Sequence, residues 1–429
     1  MPNGIIILTK KVKNGEPMDL KQFLSDSLTA FHAVALSKAY LSENGFEKLD
    51  LTESWSLKKG GKYFVEKNGS ALIAFRIGEN FAFNVAASHT DSPSLHVKGS
   101  SLIPSPEGMR LNVEKYGGLI LYSFMDAPLK IAGRILVERD GAVAVRLVES
   151  PYLVTIPSLA IHHNPSVNEG FSFNVQNDML PLLGSVTDFY GSLTDEKVLD
   201  SDLYVVPCVK PYESGVKSEF LSSPRIDNLT SVYSSLIALN DCSPSSVAVC
   251  CCFDNEEIGS GTKQGANSVL IERILKKIAF GLGKTEEDYS SACEKGFVLS
   301  VDNAHATHPA HPEKSDPEQK VLLNKGIVVK HHVNYSTDGV SSAIFKAVLD
   351  KAGVKYQDYF NRSDLRCGST IGLMLSANLG MDACDVGLAQ LAMHSGVETA
   401  GKFDVDEMTA GLTAFFNAQI NKTDNEFTF

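Results

Sequence analysis

Phe31, Val34, Ala35 and Leu41 recur with the period of a helix, and the pattern stops at Asn44-Gly45, a pair suited to a C-cap. Two strand-like runs at 62–66 and 71–76 flank Asn68-Gly69, which favours the positive φ angles of a tight hairpin turn. A further strand pattern at 81–88 runs into the polar cluster His89, Thr90, Asp91, Ser92, Pro93. From about residue 98 to 218 the text changes to short β-like runs with frequent Gly and Pro. The clearest hairpin there pairs 134–139 with 142–148 through Asp140-Gly141. After Pro224, helical and strand patterns alternate again, with buried-type strands at Val247–Phe253 and Phe297–Val301. Pro309, Pro312 and Pro317 make 305–320 a loop, and Val405, Met408, Leu412, Phe415 and Phe416 have the spacing of a closing amphipathic helix. The prediction is an α/β domain made of residues 1–97 and 219–429, interrupted by a β-rich insertion at 98–218.

Composition narrows the class. At 429 residues the chain exceeds the roughly 250 to 300 that one core supports. With 43% hydrophobic and 21% charged residues it is globular, and neither disordered, collagen-like nor a coiled coil. The 51 acidic against 39 basic side chains give a net charge of −12, which speaks against nucleic-acid and anionic-membrane partners. No apolar run approaches the ~18 residues of a membrane span, and the stretch at 5–8 is too short for a secretory core, so the expected location is the cytoplasm. Eight cysteines without a CxxC pair, three of them consecutive at Cys250, Cys251 and Cys252, are expected as reduced, buried thiols.

Five clusters of metal-ligand residue types follow apolar segments: His89 with Asp91, Asp227, Glu256 with Glu257, Asp302, and His394. In extended backbone His89 and Asp91 point to one face, so the carboxylate can take the second ring N–H of a metal-bound imidazole. Two adjacent carboxylates at the end of a buried strand require compensating cations or protons. Because neighbours diverge in a strand, one Glu can bind metal while the other faces the bound water as a general base. Asp302 ends a strand where open α/β sheets gather their sites. Taken singly, His89 with Asp91, Asp227, Asp302 and His394 read more readily as turn, cap or hydrogen-bonded core residues, and the glutamate pair equally well as a solvated acidic turn. His305, His308 and His311 stand among prolines, share no helical face, and are not expected to form a metal site. Without GxxxxGK[ST], GxSxG or HExxH, the nucleotide-loop, serine-hydrolase and single-zinc-helix readings lose their main support.

In order along the chain, Phe31-His32-Ala33-Val34, Ser88-His89-Thr90-Asp91-Ser92-Pro93, Asp254-Asn255-Glu256-Glu257-Ile258-Gly259-Ser260, Asp302-Asn303-Ala304-His305, Cys367-Gly368-Ser369-Thr370-Ile371-Gly372 and Leu391-Ala392-Met393-His394-Ser395 resemble the aspartyl-aminopeptidase family of dinuclear zinc metallopeptidases. The resemblance implies a mixed-sheet peptidase domain with helices on both faces, interrupted by a β-rich dimerisation domain. It makes Asp227 the carboxylate bridging two divalent ions, with His89 and Asp302 on one and Glu257 and His394 on the other. Zinc is the expected metal, and the ligand types also accept cobalt or manganese. Glu256 becomes the general base, with Asp91 behind His89. The resemblance further implies a tetrahedral homododecamer in which His162, from the insertion of a neighbouring subunit, stabilises the tetrahedral intermediate. The implied substrates are peptides with a free N-terminus.

Two segments depart from the family pattern. Acid-selective members carry a basic residue just before a tyrosine, where this chain has Asn334 before Tyr335, although Lys330, His331 and His332 stand nearby. The line from Tyr116-Gly117-Gly118 to Asp126 lacks the family's tryptophans, and Trp55 is the only Trp of the chain. The expected activity is therefore removal of single N-terminal residues, with acidic preference open. A non-catalytic scaffold of the same fold and a dizinc hydrolase of other amides remain as alternatives.

Overall fold

The computed structural model describes residues 18–423 and 426–428, so the apolar stretch at 5–8 lies outside the described residues. A nine-stranded mixed sheet organises the chain in the order Glu47–Lys48, Lys62–Lys67, Ala71–Ile77, Val247–Phe253, Phe83–His89, Phe297–Val301, Asp382–Gly387, Ile327–His331 and Tyr356–Phe360. Val247–Phe253, Phe83–His89, Phe297–Val301 and Asp382–Gly387 run parallel to one another at its centre, so their carboxyl ends share one edge. These four are covered on both faces, which is why Val247–Phe253 and Phe297–Val301 read as near-continuous apolar runs.

The three consecutive cysteines show the strand period directly. Cys250 and Cys252 pack into the core on one face with the helices Ala30–Glu43, Ile226–Asp241, Gly339–Ala352 and Asp404–Asn417. Cys251 points into the other core, beneath Leu270–Gly281, Glu286–Glu294 and Gly372–Leu379. All eight cysteines are free; seven are buried and act as small hydrophobes, whereas Cys208, expected to be buried, is only partly so. Asn68 and Gly69, at φ 58 and 72, turn the first hairpin, and Asp140 and Gly141, at φ 52 and 77, turn Leu129–Arg139 into Ala142–Glu149.

A separate six-stranded antiparallel sheet, drawn from the stretch between Ser94 and Pro207, has its own core around Leu95, Val113, Ile131, Val148 and Leu203. The expected boundary at residue 98 falls inside the strand Ser94–Ser105, whose pairing shifts register between Val97 and Leu102. A five-stranded sheet of Tyr212–Ser214, Phe220–Ser223, Glu398–Gly401, Ala389–Leu391 and Ala304–His305 flanks the carboxyl edge of the main sheet. Among the described residues no helix is long and apolar enough to cross a membrane.

Candidate metal centre

His89 is the last residue of its strand, Glu256 and Glu257 follow the strand ending at Phe253, and Asp302 follows the one ending at Val301. These are neighbouring parallel strands, so the sheet alone converges four of the candidate side chains at one carboxyl edge. Asp91 follows His89 by two residues, and Asp227 and His394 arrive beside the smaller sheet, Asp227 at the start of Ile226–Asp241 and His394 in the turn after Ala389–Leu391. Arg225, Asn255, Ala392 and His394 adopt left-handed backbone angles, φ 60, 63, 56 and 67, so the loops bearing the cluster hold conformations that L-residues otherwise avoid.

The two oxygens of Asp227 face different groups. Oδ1 lies 3.4 Å from His89 Nε2, which lies 3.5 Å from Asp302 Oδ1. Oδ2 lies 3.6 Å from His394 Nε2, which lies 3.4 Å from Glu257 Oε1. Asp227 Oδ1 and Glu257 Oε1 are nevertheless buried without a hydrogen-bond partner. Unpaired buried oxygens are costly. Two ligand atoms on one tetrahedral zinc stand roughly 3.3 Å apart at bond lengths of ~2.0–2.1 Å, so the observed separations are those of atoms that a metal ion would bring together. Candidate ligand atoms of His89, Asp227 and Glu257 lie within 4.8 Å of one another. The residues present therefore fit a site for divalent cations, with the two oxygens of Asp227 turned to different histidines.

Electrostatics agree. Burial pushes the Glu256 carboxyl up to about 8, with Asp302, Asp91 and Asp227 adding to the rise and His89 opposing it. Burial likewise raises Glu257, and for Asp227 the facing His394 and His89 more than offset the effect of burial and hold the carboxyl below its ordinary range. Burial lowers the affinity of His394 for a proton, yet Asp227 and Glu257 win and raise it to about 10. A field that draws protons onto buried imidazoles is a field that draws cations.

The surrounding layer holds residues that the sequence did not single out. Glu398, 2% exposed, accepts the backbone N–H of Asp227 at 2.9 Å on Oε2 and that of His394 at 2.7 Å on Oε1. Gln390 donates to Glu398 at 3.3 Å and accepts from Asn303 at 2.8 Å, which ties the neighbour of Asp302 into the same network. Behind His89, Nδ1 lies 3.1 Å from the backbone oxygen of Asp91 and 3.4 Å from its carboxylate, so the carbonyl is the closer acceptor. The Asp91 carboxylate instead receives the backbone N–H groups of Glu256 and Glu257, at 3.2 and 3.1 Å, and the Tyr116 hydroxyl at 2.8 Å.

Lys330 is 2% exposed, with Nζ 3.6 Å from Asp302 Oδ2, 3.3 Å from the Asn303 carbonyl and 5.2 Å from the centre of the Tyr335 ring. Asn334 is exposed, as are His305, His308 and His311. His162 is exposed in the six-stranded unit and makes no hydrogen bond or ion pair among the described residues.

The chain matches the family model for aminopeptidase I zinc metalloproteases (M18) over residues 23–191 and 182–416. A relative from Clostridium novyi, a probable M18 family aminopeptidase 2, is 38% identical over 92% of this chain and 96% of its own. A solved complex of Ape4 with Nbr1 superposes with a TM-score of 0.88 at 34% identity, covering 92% of this chain and 84% of that one. The mApe1 dodecamer of S. cerevisiae gives a TM-score of 0.81 at 26% identity, covering 92% and 95%. The chain belongs to the M18 family, the aminopeptidase I zinc metalloproteases.

Proposed function

We propose that this protein is a two-zinc aminopeptidase that removes single N-terminal residues from peptides, acidic ones preferentially, with Glu256 as general base. The observation that carries the reading is Asp227, whose two oxygens face His89 and His394 separately, at 3.4 and 3.6 Å. In this reading Asp227 bridges two ions, His89 and Asp302 complete one, and Glu257 and His394 the other. Ions held there would supply Lewis-acid polarisation of the scissile carbonyl and of water, and an anchor for the free amino terminus. Glu256, set among the carboxylates of Asp302, Asp91 and Asp227, takes a proton from the attacking water and delivers it to the leaving amine. Asp91 holds the backbone of both glutamates and thereby aims the base.

Lys330 supports the acidic preference, because a buried ammonium beside Asp302 can meet a side-chain carboxylate of the first residue by a charge-assisted bond. This assigns to Lys330 the role that the exposed Asn334 does not fill.

The six-stranded unit serves as the dimerisation domain of a cytoplasmic, tetrahedral homododecamer, with His162 reaching a neighbour's site to stabilise the tetrahedral intermediate. Support comes from its exposed apolar side chains, Tyr122 at 67%, Leu159 at 59%, Ile161 at 47% and Phe171 at 40%, which line one groove.

The test is hydrolysis of Asp, Glu, Leu, Ala and Lys p-nitroanilides, with N-acetylated controls, by metal-stripped protein to which zinc, cobalt or manganese is returned. Metal-dependent release from free amino termini, fastest for Asp and Glu, is expected. Release from acetylated substrates, or none with any metal, overturns the reading.

A further inference from the structure

The six-stranded sheet does more than carry an interface, because its strand Gly108–Tyr116 and the residues that follow lie directly against the metal centre. The Tyr116 hydroxyl donates to Asp91 at 2.8 Å while accepting from the Asn255 side chain at 2.8 Å, so it joins the segment bearing His89 to the one bearing both glutamates. Gly118 offers its backbone oxygen to His394 Nδ1 at 3.2 Å, and Ile120 donates its N–H to the His394 carbonyl at 3.0 Å. Gly117 sits between them at φ 75, where a Cβ would stand 3.1 Å from Glu257 Cβ and 3.3 Å from Glu257 Oε2.

Each contact has a chemical consequence. An imidazole binds metal through a deprotonated ring nitrogen, and an acceptor at the opposite nitrogen fixes that tautomer and the ring's orientation. Gly118 does this for His394, leaving Nε2 free towards Asp227 and Glu257. The bare Cα of Gly117 lets Glu257 take its place, since any side chain there would crowd the carboxylate in a backbone conformation already unfavourable for L-residues. Tyr116 supplies one of the donors that hold the Asp91 carboxylate, which in turn holds the backbone of Glu256 and Glu257.

We infer that Tyr116-Gly117-Gly118 is a positioning strap through which the six-stranded unit completes the catalytic centre, setting Glu257 and His394 for one of the two ions and aiming Glu256 through Asp91. The inference rests on the proposed roles of Glu257, His394 and Glu256. The half of the centre that Glu257 and His394 form, and the aim of Glu256, are then not set by the main sheet alone.

The experiment measures zinc affinity by competition with a fluorescent chelator, together with kcat and KM, in the full-length protein and in Gly117→Ala, Tyr116→Phe and His394→Ala. Gly117→Ala is expected to weaken one ion by roughly 10- to 100-fold and leave the other at its original affinity. Tyr116→Phe is expected to keep both ions at full stoichiometry while kcat falls roughly tenfold at unchanged KM; a loss of folded protein would instead lower bound metal and kcat together. His394→Ala separates the two levels of the argument. If it retains both ions, the ligand assignment itself fails. If it loses one ion while Gly117→Ala and Tyr116→Phe match the original protein in affinity and kcat, the ligand assignment stands and the strap is refuted. Should Gly117→Ala not fold, Tyr116→Phe with unaltered kcat refutes the strap by itself.

Discussion

Replacing Glu398 by Gln tests whether one buried carboxylate holds two proposed ligands in place. Glu398 accepts the N–H of Asp227 at 2.9 Å on one oxygen and that of His394 at 2.7 Å on the other. In Glu398→Gln one oxygen becomes an NH2 group facing a backbone N–H, so a donor meets a donor. A buried N–H left without a partner costs about 1–3 kcal/mol, or a factor of roughly 5 to 150. The loss falls on the placement of Asp227 and His394, so it should emerge as weaker metal binding of about 10- to 100-fold. Chelator competition at neutral pH measures it, with Glu398→Asp, too short to span both amides, as a second variant. Burial, followed by the Asp227 charge, raises Glu398 to about 8. If the neutral acid is all that the site needs, Gln imitates it, and affinities within twofold of the original at both sites would refute the reasoning.

Three further outcomes follow from the structure. His32, 2% exposed, is held at about 4 chiefly by burial, then by the charges of Arg225 and Lys130, against 6.5 when free. The unfolded chain therefore binds this proton first as pH falls. The stability that neutral His32 gives is present above 6.5 and lost as pH drops through about 4, by about 3 kcal/mol, and metal-free His32→Gln should show a smaller fall in Tm between pH 7 and pH 4.5 than the original. Lys330→Gln should lower the ratio of kcat/KM for Glu over Leu p-nitroanilide roughly 10- to 100-fold, whereas an unchanged ratio would remove Lys330 from specificity. Glu256→Gln should retain its metal and lose most turnover while His394→Ala loses one ion; equal metal loss in both would contradict the division of roles.

The parts of the fold legible in the sequence are those fixed by local chemistry. Asn68-Gly69 and Asp140-Gly141 announce their hairpins because both positions need positive φ, and the strand ending at Phe253 is readable because both of its faces are buried. The polar residues that interrupt such strands then mark the carboxyl edge, so His89, Glu256, Glu257 and Asp302 could be picked out. What holds them is less visible. Glu398 bonds Asp227 across 171 positions of sequence, and Tyr116 bonds Asn255 across 139, and neither residue type is unusual where it stands. Lys330 was one of three bases in its segment, and only burial beside Asp302 sets it apart. The lone Asp227 and His394 carried no local signal stronger than a cap or a core histidine. Their convergence depends on the left-handed turns at Arg225, Ala392 and His394, conformations that these residue types do not announce.

Titration of zinc into metal-stripped protein, following Glu p-nitroanilide hydrolysis and bound metal together, tests the central claim most directly. Two equivalents bound per chain, with turnover complete only at the second, are the expected result. Saturation at one equivalent, or turnover that survives stripping, would contradict a two-ion centre bridged by Asp227.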